Sequence, residues 1–276
     1  MKTLYKFIPL DSIDDYAFGN LESGILTATK VSKLWEYYPE EMTFQLDPEK
    51  FNGKISFETC KGIINKLIRM LGDQIYITCF TTNKDFKNGE KLNAYGKDLI
   101  LARYHDSISI NSKIANMIDE DKLIGATKQV SYFSKPLDMT DYSSKVVTAL
   151  LEYIKAEISE EGAGKQALTN LDLKEFFRQV LWKPSSYSWE NEWRLICKLV
   201  TSQGDRAIPN TELYPVVATD FYPSAIYYSP KFLSEDSHNF QRIKKFTSEK
   251  KIPCIFSSDG WKGWPSLPSM AVLSIV

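Results

Sequence analysis

The stretch Ser188-Trp189-Glu190-Asn191-Glu192-Trp193-Arg194-Leu195-Ile196 reads as a β-strand with two chemically different faces. Strand side chains alternate, so Trp189, Asn191, Trp193, Leu195 and Cys197 are expected on one side. Glu190, Glu192, Arg194 and Ile196 then share the other. Successive residues on one face lie about 6–7 Å apart, which gathers two carboxylates and a guanidinium on a rigid element. Such a glutamate suits chemistry on a sugar or a phosphate. The plainer reading is that the charges form the solvent face of an amphipathic strand, and spacing alone favours it.

Working outward, Thr3–Ile8 has the pattern of an opening strand that ends at Pro9. Ser12 is placed to cap a helix running to about Ser23, with Gly24 ending it in the left-handed conformation. Ile25–Thr29 reads as the next strand. A helix is expected from Ser56 to Gly72, with Ile63, Ile64, Leu67, Ile68 and Leu71 on its apolar side. Gln74–Thr81 is a strong strand, followed by a polar loop to Lys91 with an Asn88-Gly89 turn. Leu99–Arg103 and Ser107–Ile110 read as a pair of short strands, and Gln129–Phe133 as another. Helices are expected over about Tyr142–Ser159, Leu171–Leu181 and, with a basic face, Ser234–Lys250. Strands near Ala225–Tyr228 and Pro253–Phe256 complete the pattern. Without repeats or a clear linker, residues 1–276 read as a single α+β domain. Its core is a curved sheet, mixed or antiparallel, flanked by amphipathic helices.

At 276 residues the chain is long enough to bury a substantial core. The formal net charge of −1 provides no bulk positive field, so nucleic acid is not the favoured partner. Arg242, Lys244, Lys245, Lys250 and Lys251 form a local basic group that reads as a solvated helix face. Cys60, Cys79, Cys197 and Cys254 are widely separated in apolar contexts, which argues against zinc and for reduced core thiols. No run of eighteen apolar residues and no signal-like start are present, so the expectation is a cytoplasmic protein with no membrane partner. Glu160-Glu161-Gly162-Ala163-Gly164-Lys165 is a poor phosphate loop, because no Ser or Thr follows the lysine.

Several segments, in order, resemble a bacterial and phage family, the domain of unknown function 2971. They are Leu4-Tyr5-Lys6-Phe7, Leu21-Glu22-Ser23-Gly24-Ile25-Leu26, Ile77-Thr78-Cys79-Phe80-Thr81, Leu92-Asn93-Ala94-Tyr95-Gly96 and Gln129-Val130-Ser131-Tyr132. The strongest block is Trp182-Lys183-Pro184 through Tyr187, then Glu190–Ile196. The chain departs from the family pattern where Leu92 or Asn93 stands in place of a tryptophan. It departs again where Leu99–His105 replaces a glycine-rich piece. The order of elements is similar, at a distance, to ADP-ribosyltransferases, with a late strand bearing Q/E-x-E.

That resemblance implies NAD as a substrate, no metal, and a toxin or phage-defence setting with an unidentified macromolecular acceptor or partner protein. Cleaving the nicotinamide–ribose bond develops positive charge on the sugar, which a fixed carboxylate stabilises. Glu192 is the residue for that role, and Glu190 for orienting or deprotonating the acceptor. Arg194 would hold a carboxylate or contact the diphosphate. Tyr95 or Tyr104 would wall the nicotinamide, and Lys6 and Arg103 would meet phosphates. Tyr5, Ser107 and Ser109 complete the cofactor-binding set. Each residue also has a plain structural reading. The tyrosines pack, Lys6 snorkels, the serines are the polar side of a strand, and Arg194 is a structural partner of Glu192. The alternative to an enzyme is a recognition module for protein or nucleic acid, contacting its partner through Tyr227, Tyr228, Trp261 and Trp264.

Overall fold

The computed structural model describes residues 3–10, 16–42, 44–45, 57–73, 75–82, 98–106, 123–138, 147–148, 151–154, 178–199, 216–229 and 231–256. Within them the strands are β1 Thr3–Pro9, β2 Leu26–Thr27, β3 Thr29–Lys30, β4 Phe44–Gln45, β5 Ile75–Thr81, β6 Leu99–Asp106 and β7 Leu123–Gln129. Then come β8 Ser131–Phe133, β9 Leu137–Asp138, β10 Trp182–Pro184, β11 Glu192–Leu199, β12 Val216–Ala218, β13 Ala225–Tyr228 and β14 Cys254–Phe256. The longer helices are α1 Tyr16–Glu22, α2 Val31–Tyr37, α3 Phe57–Gly72 and α4 His238–Lys250.

The main sheet has the order β14-β13-β6-β1-β5-β11-β7, with β3 also paired to β5. Only β13 and β14 run parallel within it; the other described pairings are antiparallel. The protein is therefore α+β with a mixed, mostly antiparallel sheet.

Helices cover both sides of this sheet. On one side Leu4, Ile8, Tyr76, Phe80, Ile100, Ala102, Leu195, Cys197 and Ile226 pack against Phe18 and Leu21 of α1 and Phe240, Ile243 and Phe246 of α4. On the other, Ile75, Ile77 and Ile196 meet Val31 and Trp35 of α2, Ile64 of α3, and the helical residues Ile154 and Val180. A second apolar group on that side joins Leu99, Leu101, Ala225, Tyr227 and Phe232. With both faces covered, β11 has no solvent face, and the reading of Glu192 and Arg194 as solvated charges is overturned. Both are buried, at 4% and 1% exposure.

The decisive stretch also differs in its backbone. Ser185–Glu190 is a 3-10 turn, and Asn191 adopts left-handed dihedrals (φ 43°, ψ 50°) before β11 begins at Glu192. Asparagine tolerates that conformation because its short side chain costs little there. Glu190 is thus not part of the strand face that carries Glu192 and Arg194.

Among the described residues the other elements are near their expected places; Ser12, Ser107–Ile110 and most of the Tyr142–Ser159 and Leu171–Leu181 segments lie outside them. Gly24 does end α1 with φ +65°. The Ile25–Thr29 segment divides into β2 and β3, and the Gln129–Phe133 strand into the end of β7 and β8. Ser237 caps α4 by accepting from the Phe240 N–H. Lys244, Lys245, Lys250 and Lys251 are exposed, as a solvated helix face requires, but Arg242 is half-buried, over the Phe18 ring and paired with Glu22 at 3.0 Å. Cys79, Cys197 and Cys254 are free thiols, and burial pushes the last two up to about 12 and about 11. Tyr95, Ser107, Ser109, Trp261 and Trp264 lie outside the described residues.

Candidate functional site

Strand register aligns several of the expected residues. Arg103 on β6 is opposite Tyr5 on β1, Tyr5 opposite Thr81 on β5, and Thr81 opposite Glu192 on β11. Directly opposed residues in antiparallel strands share a face, so these four form one row across the sheet. With strands about 4.8 Å apart, Tyr5 and Glu192 are separated by about 10 Å. Arg103 ends the row: its Nε donates to Ser224 Oγ at 3.0 Å and its Nη1 to Tyr227 Oη at 3.4 Å. The Tyr5 ring is tilted against Tyr227, with centroids 6.2 Å apart. Burial, with the neighbouring Tyr227, raises the Tyr5 hydroxyl above its ordinary value.

At the β11 end the row enters a buried ionic cluster. Arg194 Nε donates to Glu192 Oε1 at 2.7 Å, and its Nη2 to Glu41 Oε2 at 2.6 Å. Its Nη1 donates to the Val180 carbonyl. Lys183, on β10, sends its ammonium to Glu190 Oε2 at 2.6 Å and Glu192 Oε2 at 3.0 Å. The same ammonium lies 3.3 Å from Glu41 Oε1, an ion-pair distance without hydrogen-bond geometry. Among the described residues, three carboxylates thus face two cations.

Backbone contacts lock the cluster in place. Tyr132 Oη accepts the Glu192 N–H at 2.7 Å, and the Thr81 hydroxyl donates to the Glu190 carbonyl. Gln179 Nε2 donates to the Glu41 carbonyl at 2.8 Å. Tyr187 and Tyr38 present their rings to the Lys183 ammonium, 4.8 and 5.7 Å from the ring centroids. Tyr187 Oη in turn donates to Glu40 Oε1 at 2.6 Å.

The two strand-region glutamates are driven apart electrostatically. For Glu192, burial opposes the charge, but Arg194 and Lys183 more than offset it and hold the carboxyl at about 2. For Glu190, burial dominates over Lys183, and Glu192 adds repulsion, so its carboxyl is raised. Carboxyls pushed to opposite sides of their ordinary value have different chemical capacities. Glu192 is a permanent anion with both oxygens engaged. Glu190 is the carboxyl whose charged form its surroundings disfavour.

Lys6 and Tyr104 do not join this cluster. Both project to the other side of the sheet, where Tyr104 stacks on Phe221 at 5.0 Å and meets Phe80 edge-on at 5.7 Å. Tyr104 is a buried core ring, and burial raises its hydroxyl well above the usual range. Lys6 Nζ donates to the Cys79 carbonyl at 3.2 Å. Tyr227 and Tyr228, which the recognition reading needed at the surface, are buried.

Sequence reasoning missed Glu41 and Lys183. Lys183 sits beside Trp182 and Pro184 in the strongest resemblance block, and that adjacency was its only signal. Glu41 lies in a 3-10 turn, Pro39–Met42, whose sequence has no catalytic or ion-pair pattern. No protein-family model, no curated protein and no solved structure matches the chain. Among the described residues, no helix is long and apolar enough to cross a membrane.

Proposed function

We propose that the protein cleaves or transfers at the N-glycosidic bond of NAD, with Glu190 as the general base and Glu192 as its fixed electrostatic support. The observation that carries this reading is the surplus carboxyl among the described residues, three glutamates against two cations, with burial raising the Glu190 carboxyl above its ordinary value. A base works best when its pKa approaches the working pH, and a raised glutamate moves that way. In the reaction, the bond between ribose C1′ and the nicotinamide nitrogen breaks, and its electron pair stays on nicotinamide. A bond forms from the acceptor oxygen to C1′, and the acceptor's proton passes to a Glu190 carboxylate oxygen. Glu192 touches no substrate in this scheme. It holds Lys183 and Arg194, and through Lys183 it fixes Glu190. The resemblance to the domain of unknown function 2971 and the row Arg103–Tyr5–Thr81–Glu192 are the further support.

The test is nicotinamide release from NAD by the purified full chain, compared with Glu190→Gln. Removing a general base lowers turnover by about 100-fold or more. A folded protein that releases no nicotinamide, or a Glu190→Gln variant as active as the parent, would overturn the reading.

A further inference from the structure

Strands β1 and β5 pair through the single register Tyr5↔Thr81, and beyond it β5 takes β3 as a partner instead. The space left between β1 and β5 is a cavity of about 330 Å³. Its walls are largely apolar: Phe7, Ile8, Leu21, Ile25, Leu34 and Ile77. Thr27, Thr29 and Thr78 add hydroxyls, and among the described residues Lys6 is the one cationic side chain in the lining.

Lys6 is poorly compensated for such a place. An ammonium has three donors. Among the described residues, one is used on the Cys79 carbonyl, and the remaining contact is with the Phe80 ring, 5.7 Å from its centroid. No described carboxylate lies within ion-pair distance of it. Burial lowers the Lys6 pKa from its ordinary value, and the nearby Cys79 and Glu192 offset this only in part.

We infer that this cavity binds a small apolar monocarboxylate whose carboxylate pairs with the Lys6 ammonium. One cation matches one negative charge, and the apolar walls match a hydrocarbon or aryl body. The volume is near the lower limit of ligand pockets, about 300–1,000 Å³, which selects a small molecule. A phosphate dianion carries more negative charge than the single ammonium in the described lining balances. The described lining holds neither Glu190 nor Glu192, and the inference does not depend on NAD chemistry.

The experiment is calorimetric titration of the full chain with octanoate, octan-1-ol, octylamine and inorganic phosphate. Octanoate binds at least tenfold more tightly than octanol or octylamine, and phosphate does not displace it. Lys6→Met, checked for an unchanged thermal melt, weakens octanoate at least tenfold and leaves octanol unaffected. In the unmodified protein, octanoate affinity falls as pH rises through a Lys6 pKa below 10.5. This pH arm decides the matter if Lys6→Met does not fold. Equal binding of octanol and octanoate, pH-independent octanoate binding, displacement by phosphate, or no octanoate binding would each overturn the assignment.

Discussion

Lys183 on β10 and Glu190, the last residue of the 3-10 turn that follows it, are joined by a 2.6 Å contact between Nζ and Oε2. The same ammonium reaches Glu192 on the next strand, so one lysine ties β10, the turn and β11 together. Lys183→Met would leave Glu41, Glu190 and Glu192 facing Arg194 alone. Breaking a buried ion network from one side costs about 3–5 kcal/mol. Urea unfolding of the variant should show a loss of that size, and a loss below about 1 kcal/mol would mean the network adds little rigidity.

The opposed glutamates predict a stability profile with two limbs. The Glu192 carboxyl lies at about 2 against an ordinary 4.5. Its contribution is present above the ordinary value and is lost as pH falls from 4.5 through about 2. The shift corresponds to a loss on the order of 3 kcal/mol. Glu190 has the opposite sign. Its folded pKa is raised, so its contribution is present below the ordinary value and fades as pH rises through the raised one. Glu190→Gln mimics the protonated form at every pH. The variant should therefore match or exceed the parent in stability at pH 7, with the advantage disappearing below pH 4.5. Denaturant midpoints across pH 3–8 read this directly, and a variant less stable at pH 7 than at pH 4, relative to the parent, would contradict it.

Gly24 provides a test away from the site. Its φ of +65° is unfavourable for any residue with a Cβ, and a Cβ there would meet the Tyr222 ring at 2.5 Å. That ring is held by Lys250, whose Nζ donates to Tyr222 Oη at 2.9 Å and lies 4.4 Å from the ring centroid. Gly24→Ala should cost about 1–3 kcal/mol in chemical unfolding. Adding Tyr222→Ala should recover the steric part and leave the backbone part. If the single variant is neutral, the α1–β2 turn is not anchored as described.

The sequence carries the backbone of this fold well wherever a local pattern determines it. Gly24 ends a helix because only glycine is comfortable there, and Ile75–Thr81 is a strand because β-branched and aromatic residues run through it. Alternation along Glu192–Cys197 is also correct, with Trp193, Leu195 and Cys197 on one side of the sheet and Glu192, Arg194 and Ile196 on the other. What it does not carry is what lies over each face. Whether Arg194 meets water or Glu41 depends on a residue 153 positions away. No periodicity encodes that distance. The 3-10 turn at Glu190 is hidden for a related reason, since Trp189, Glu190 and Asn191 continue the strand alternation while Asn191 breaks the backbone. The short helix α2, Val31–Tyr37, was not expected either, because its seven residues are too few for a clear apolar period.

Arg194 is the residue whose geometry is least replaceable. Its Nε, Nη1 and Nη2 serve three different acceptors: Glu192, the Val180 carbonyl and Glu41. The planar fork of a guanidinium fits such a set, whereas an ammonium is a point charge on a shorter reach. Arg194→Lys keeps the charge balance and loses the fork. Buried acceptors left without donors cost about 1–3 kcal/mol each. The variant should therefore be destabilised by about 2–4 kcal/mol despite unchanged charge. Arg194→Met, which also strips the charge, should fall further, because Glu41 and Glu192 would keep only Lys183 between them. Urea midpoints in the order parent, lysine variant, methionine variant are the expected result. A lysine variant as stable as the parent would show that charge, and not the hydrogen-bond fork, holds β11 to the Pro39–Met42 turn.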